Sequence, residues 1–405
     1  MSRPPLPPIV VALNIILPFL AAALYPYLRG DGLNLLAVLL IGLNLAARRG
    51  ARPFFERLSS WVAGQRAVQN GLMVLASLIV CLGTLETAGQ VLTRTGIVEP
   101  YNAILTMVKP GAEDFRTAHI TADKYRVPDP VLLWRPIDRH PYTAQRFKGA
   151  VLDVPKPAGT FRIMTYGDSN TDGPNRRGWT EVLQEVLARD HADSDLAFEV
   201  ANAGVAGYSS HQGLLRFRRQ VSEYQPDLIT VSFGYNDIAP AIGTADREFR
   251  LPPAWQVTLQ RQLVRYSFYR AADKIARRWA PESPPSVGPR VSLEDYLANL
   301  EGFAATGREH GIHVVLLTRP HTPGRDELAK VTHNWRGQIP TYNRSLIELG
   351  EQRGIPVIDV QDYFEQNYPD AFYDDCHFTL EGHAHMAEML ARELSAAGVI
   401  PAAAL

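Results

Sequence analysis

Residues 164–173 read MTYGDSNTDG, and the fold turns on how that stretch is taken. An apolar run, Phe161 to Tyr166, stops at a glycine, and three small polar residues follow. Gly, Asp, Ser and Asn form turns, so one reading is a strand end and nothing more. The other sets Ser169 at the carboxyl end of a strand, the edge at which open α/β sheets bind their ligands.

Downstream of Thr160 the pattern alternates. FRIMTY is followed by WTEVLQEVLARD at helical spacing, LAFEVANAG by the helical SSHQGLLRFRRQVSEY that Ser209 or Ser210 could cap, and DLITVSFG by a longer excursion. SLEDYLANLEGFAATGREHG has a serine start and a glycine stop; HVVLLTRP, TYNRSLIELGEQRG, PVIDV and TLEGHAHMAEMLARELSAAG complete the series. Strands alternating with helices predict a parallel sheet covered on both faces. The loops at the strand ends then share one edge and bring together Gly167-Asp168-Ser169-Asn170, Asn202 to Gly207, Gly234-Tyr235-Asn236-Asp237 and YDDCHFTLEGH.

Those loops hold a coherent chemistry. A serine hydroxyl becomes a nucleophile when an imidazole takes its proton, and the imidazole works best with a carboxylate on its other nitrogen. Ser169, His377 and Asp374 supply these roles; of the two neighbouring acids Asp374 and Asp375, only Asp374 has the three-residue spacing to the histidine. An oxyanion needs donors as well, and the Asn236 amide with the backbone N–H groups of Ser169 and of Gly207 or Gly204 can provide them. Asp168, Asn170 and Asn202 read as residues that hold turns. Asp374, His377, His383 and His385 could be taken for a metal set, but residues two apart do not share a helix face, and no metal or other cofactor is expected.

The blocks GDSN, NAGVAG, GYND and DDCH, in this order, resemble those of the SGNH (GDSL-type) hydrolases from about Thr160 to the end of the chain. The resemblance implies a flavodoxin-like, three-layer α/β/α domain with a parallel sheet and a serine esterase activity on acyl esters. It also implies a catalytic set of Ser169, Asp374 and His377, and an oxyanion hole of Ser169, Gly207 and Asn236, favouring Gly207 over Gly204. The G-x-S-x-G elbow of the other serine-hydrolase fold is absent from this region.

Upstream, the composition changes. The 405-residue chain is 46% hydrophobic with a formal net charge of -1, which leaves no basic excess for nucleic acid, and two cysteines suggest no disulfide framework. Residues 4–28, 32–47 and 67–85 are uncharged, against the roughly 20 residues that a bilayer core requires. A cleaved signal peptide is the competing reading of the first, around Ala21 to Ala23. Arg48, Arg49, Arg52, Arg57 and Arg66 fall between the second and third runs, against Arg29 beside Asp31 in the first connection and the lone Arg3 before it. Such a loop stays in the cytoplasm and sends everything after about Thr93 to the other face.

The expected organisation is therefore a membrane region of about three transmembrane helices over residues 1–95, a connector over 96–159 packing on the body through DPVLLWRP and RFKGAVL, and a hydrolase domain over 160–405. Within that domain, an insertion over about 242–291 holds one helix between prolines, its basic residues Arg261 to Arg278 interleaved with aromatics. It reads as a solvated amphipathic face, or as a lid or a contact for anionic lipid or acidic glycan. The expected setting is a bacterial-type inner membrane with the catalytic domain outside the cytoplasm. The substrate would be an acyl ester, of acetyl or another short chain, on an envelope glycan or lipid. Two alternatives stay open: an O-acyltransferase of envelope polysaccharide working with a membrane acyltransferase partner, and a non-catalytic glycan-binding scaffold.

Overall fold

The computed structural model describes residues 6–24, 30–48, 51–98, 116, 120, 125–149, 151–174, 177–276, 286–322 and 335–401. Residues 99–115 of the connector, Arg3, Arg29 and Arg49 of the charge pattern, and Arg277 and Arg278 of the basic stretch lie outside these. Two compact units emerge, Met1–Met107 with Trp255–Glu282, and Val108–Ala254 with Ser283–Leu405. The central part of the insertion thus groups with the amino-terminal helices, where the sequence reading had placed it with the body.

The first unit opens with α1 (Pro8–Leu24), α2 (Gly30–Arg48), α3 (Arg52–Gly64) and α4 (Arg66–Arg94). Asn14 of α1 and Asn44 of α2 exchange side-chain amide hydrogen bonds of 3.1 and 2.7 Å. In an apolar helix pair, such polar side chains fix the partner. α1 lies so close to α4 that a Cβ on Gly83 would come within 2.4 Å of the Phe19 carbonyl oxygen. Among the described residues α4 is the one helix long and apolar enough to cross a membrane. α1 has 17 residues, about 26 Å of helix against a hydrocarbon core of ~30 Å.

The second unit begins with the antiparallel hairpin β1 (Arg126–Asp129) and β2 (Leu133–Pro136). There follow β3 (Thr160–Gly167), α5 (Ser169–Asp172), α6 (Trp179–Asp190), β4 (Ala197–Asn202), α7 (Ser210–Tyr224), β5 (Leu228–Ser232) and β6 (Pro240–Ile242). The chain then leaves this unit to form α8 (Ala254–Leu263) and α9 (Ser267–Ala276), and returns as β7 (Ser286–Pro289), which pairs with β6. It ends with α10 (Leu293–His310), β8 (His313–Leu317), α11 (Ile339–Arg353), β9 (Val357–Ile358), α12 (Val360–Asn367) and α13 (Leu380–Ala396).

Five strands form a parallel sheet in the order β4-β3-β5-β8-β9. The first strand lies between the second and third, so the winding reverses at β3, and a crevice opens beyond the carboxyl ends of β3 and β5. Residue alternation sorts the two faces. Ile163, Leu228, Val315 and Leu317 pack with Trp179, Leu183, Phe364 and Leu390 of α6, α12 and α13. On the other face the Tyr166 ring lies 5.3 Å from Phe217 of α7 and 6.0 Å from Phe303 of α10. Every residue of β5 is buried, which is why LITVS reads as one apolar run rather than an alternation.

Local signals behave as their chemistry dictates. Ser292 accepts the Asp295 N–H at 3.1 Å to start α10, and Gly311, at φ 68°, ends it. The single helix expected in the insertion is broken into α8 and α9. Arg270 holds the turn between them: its guanidinium donates to the carbonyls of Val264 and Arg265, the first residues past α8, at 3.0 and 2.9 Å. Both connector segments pack on the body: the Leu132 and Trp134 carbonyls of DPVLLWRP accept from Gln212 Nε2 and the Tyr208 hydroxyl at 2.7 and 2.6 Å, and the Lys148 N–H of RFKGAVL donates to Asn202 O at the end of β4 at 3.2 Å.

Phe303→Ala removes the ring shared by Phe217, Tyr166 and Phe233. It is expected to cost about 3 to 5 kcal/mol, read by circular dichroism as a thermal midpoint lowered on the order of 10 °C. An unchanged midpoint would mean that this aromatic layer does not hold the sheet to its helices.

Candidate active site

β3 ends at Gly167, and Asp168 starts the one-turn helix α5 by accepting the Asn170 N–H at 3.0 Å. That places Ser169 on the first residue of the turn, half-buried at the switch point. Its Oγ lies 2.8 Å from His377 Nε2, across 208 positions of sequence. His377 Nδ1 lies 2.7 Å from Asp374 Oδ2, while Asp374 Oδ1 accepts the N–H groups of Cys376 and His377 at 2.9 and 2.8 Å. The structure thus brings the three side chains into one hydrogen-bonded line. Asp375 turns away and accepts the Tyr235 hydroxyl at 2.7 Å.

The electrostatics follow from this line. Burial alone would raise the Asp374 carboxyl, but hydrogen bonds from the His377 ring and from the Cys376 and His377 amides hold it well below the usual carboxylate range. Burial opposes charge on His377, yet the Asp374 hydrogen bond, the adjacent Cys376 sulfur and the Asp374 field prevail and lift the imidazole above the ordinary histidine range. His383 behaves oppositely: burial, then the fields of Lys148 and His377, push it down to about 4. Neutral, it accepts the Trp179 N–H on Nδ1 at 3.3 Å and so packs beneath the turn.

The oxyanion candidates sit on the strands flanking β3. Gly207, after β4, has φ 84°, a left-handed conformation that glycine alone adopts without strain. Asn236, after β5, donates from Nδ2 to the Tyr208 carbonyl at 3.1 Å, so the two loops touch at this amide. Gly204 is differently engaged, its N–H donating to Asn202 Oδ1 at 3.0 Å. Asp237 closes the turn that carries Asn236, accepting the N–H groups of Gly234 and Ser210 at 3.0 and 2.9 Å. Burial outweighs the Ser210 hydrogen bonds and raises its carboxyl to about 7. Asp374, Cys376 and His377 place one donor atom each within 4.8 Å. A metal there would have to part the bonded Nδ1 and Oδ2.

Several side chains fix these loops, and apart from Asn170 of the GDSN block they lie outside the four blocks. Arg319, fully buried after β8, donates from Nε to Asp168 Oδ2 at 2.9 Å and from Nη1 to the Pro320 and Cys376 carbonyls at 2.7 and 3.2 Å. Asn170 accepts the Phe378 N–H at 3.2 Å and donates to the Cys376 carbonyl at 2.8 Å, pinning the nucleophile's turn to the histidine loop. From the connector, Arg126 and the Tyr142 hydroxyl each reach the Asp172 carboxylate at 2.9 Å, and Lys148 donates to the carbonyls of Asp172, Gly173 and Pro174. Arg290, after β7, donates to the Gly207 carbonyl at 2.9 Å and pairs with Asp246 through Nε and Nη2 at 3.0 and 2.8 Å. A charged residue two positions past an apolar strand is the one signal that could have marked Arg319; nothing in the sequence marks Arg290.

The sequence profile of the GDSL-like lipase/acylhydrolase family matches residues 165–385, more than half of the chain. The chain belongs to this family. Among curated relatives, the uncharacterized lipoprotein YqeF of Bacillus subtilis is 24% identical over 164 residues, which are 38% of this chain and 47% of that one. The chain thus spans about half the length of YqeF. Esterase TesA of Pseudomonas aeruginosa is 23% identical over 192 residues, 42% of this chain and 88% of TesA. Solved structures with similarity include LAE5, an α/β hydrolase enzyme from the Lake Arreo metagenome, at 20% identity and TM-score 0.39 over 60% of this chain and 97% of that one. Axe2, an acetylxylan esterase from Geobacillus stearothermophilus, reaches 18% identity and TM-score 0.37 over 58% and 94%.

Arg290 holds the Gly207 carbonyl and through it the backbone on which the candidate Gly207 N–H sits, so Arg290→Met is expected to lower kcat for an ester substrate by up to roughly 10²-fold, the size of one misplaced oxyanion donor, with KM little changed. A lowered melting temperature with unchanged kcat would make Arg290 a structural residue only.

Proposed function

We propose that this member of the GDSL-like family is a membrane-anchored serine esterase, its body outside the cytoplasm, that releases a short acyl group through an acyl-enzyme on Ser169. The observation that carries the reading is the unbroken line from Ser169 Oγ through His377 to Asp374, with both bonds under 3 Å. In the first half-reaction Oγ attacks the ester carbonyl as its proton passes to Nε2 of neutral His377. The carbonyl oxygen takes the negative charge and faces the N–H groups of Ser169 and Gly207 and the second N–H of the Asn236 amide. Collapse breaks the bond to the alcohol, which leaves with the proton from Nε2. Water then repeats the sequence on the acyl-enzyme and frees the acid and Ser169. Asp374 stays ionised throughout and stabilises the imidazolium. The route uses side chains and backbone donors of this chain and needs no cofactor.

The anchor rests on α4. Its apolar side chains point outward, with Met73, Val74 and Leu75 more than half exposed, which a core helix of a soluble protein would not tolerate. Arg48, Arg52, Arg57 and Arg66 precede its apolar run, and the retained arginine-rich loop orients the following residues away from the cytoplasm. Close packing of α1 on α4 and the Asn14–Asn44 amide pair support further spans by α1 and α2. The description of YqeF as a lipoprotein agrees with a membrane setting. On the leaving-group side, Tyr373 is 69% exposed and stacks on the His377 ring with centroids 5.7 Å apart. An aromatic face at that rim favours a carbohydrate alcohol as the leaving group.

Two measurements test the reading. Fluorophosphonate labelling and p-nitrophenyl acetate turnover should both be lost in Ser169→Ala, the latter by at least about 10³-fold; a variant that keeps its label and its turnover overturns it. The pH profile gives the second. His377 must be neutral to act, and its raised affinity for the proton moves the acid limb of kcat/KM above the ~6.5 of a free histidine. Asp374→Asn removes the cause of the rise, so the limb should fall toward ~6.5 while kcat drops on the order of 10⁴-fold. A limb in the same place in both proteins would contradict the role given to Asp374.

A further inference from the structure

The insertion helices α8 and α9 have a defined place against α4. The uncharged run of α4 ends at Glu86, which is 1% exposed, and its carboxylate accepts the Phe268 N–H at the start of α9 at 3.3 Å. Gly89, one turn on, admits the α9 backbone: a Cβ there would lie 2.3 Å from Phe268 N. Ser267 and Ala271 are the buried residues of α9, small enough for two helices to close together. At the far end Lys274 Nζ donates to the Ile97 carbonyl at 2.6 Å. α9 therefore runs beside the last turns of α4, from Glu86 outward.

This fixes the level of the carboxyl end of α8. That end joins the start of α9 through Val264 to Tyr266, and so stands beside Glu86, where the apolar run stops. α8 presents Trp255 at 70% and Leu259 at 50% exposure, four residues apart and so on one face, while Val257 is buried. Residues 254–276 carry four basic side chains and one acid. A short helix with tryptophan and leucine on its open face, a basic surround and a position at the end of a hydrophobic run has the makeup of a helix lying in a membrane interface.

We propose that α8 is an interfacial helix that seats Trp255 and Leu259 among the lipid headgroups on the side of the membrane where α4 ends. The occupant of its open face is the bilayer, favoured when anionic lipid meets the basic surround. The proposal rests on the reading of α4 as a span and adds a second, in-plane attachment made by the insertion.

The test uses the full chain in vesicles of phosphatidylethanolamine and phosphatidylglycerol. A Cys81→Ser background leaves Cys376, which is 1% exposed, as the remaining native thiol. An environment-sensitive fluorophore is attached at Leu259→Cys or, separately, at Leu75→Cys on the outward face of α4. The label at 259 should be quenched several-fold more by a lipid nitroxide near the headgroup than by aqueous iodide, and the label at 75 by a nitroxide near the chain terminus. Deep quenching at 75 with iodide access at 259 overturns the proposal and leaves the span standing. So does a 259 label shielded from both quenchers, which would place protein over α8. Iodide access at 75 overturns the span, and the proposal with it.

Discussion

Asp168 and Arg319 form an ion pair with essentially no solvent exposure, and the geometry of the site hangs on it. A carboxylate buried in this way is tolerable only when paired and hydrogen-bonded, and removing one partner leaves a costly charge behind. Here the carboxylate also starts the turn that lifts Ser169, while the guanidinium reaches the Cys376 carbonyl next to His377. One buried pair thereby ties the ends of β3 and β8 to the histidine loop. Asn170 repeats the tie with neutral hydrogen bonds. The serine and the imidazole meet because the backbone beneath them has little freedom.

Much of this was legible in the sequence. The strand and helix periods from Thr160 onward give the parallel sheet, since each strand buried on both faces leaves a short apolar run and each helix keeps an apolar stripe. Ser169, Asp374, His377, Gly207 and Asn236 stood out because turn residues and chemistry-bearing residues coincide at the strand ends. Gly204 and Gly207 are alike in residue type; in the fold the Gly204 N–H is engaged by Asn202 Oδ1, and Gly207 stands as the proposed donor. Arg290 and Lys148 were invisible for a related reason. Their work is to satisfy carbonyls distant in sequence, and no local pattern encodes a partner 83 or 24 residues away.

The insertion was the least legible part. Its composition reads as one basic helix, because the turn that divides it is held by Arg270 folding back onto the carbonyls of Val264 and Arg265. Its grouping depends on Glu86 and Gly89, a buried acid and an absent side chain on a helix more than 160 residues earlier. Packing between distant segments of small residues leaves almost no trace in a hydropathy pattern.

The discontinuity of the first unit bears on how the hydrolase unit could be isolated from the amino-terminal helices. A fragment trimmed simply to residues 108–405 would carry α9 into water with the face that α4 normally covers laid bare and the Phe268 amide without its acceptor. β6 and β7 already pair across the base of the excursion, Pro240 with Pro289 and Ile242 with Ser286. A soluble enzyme therefore calls for two cuts, with the stretch between the paired strands exchanged for a short turn.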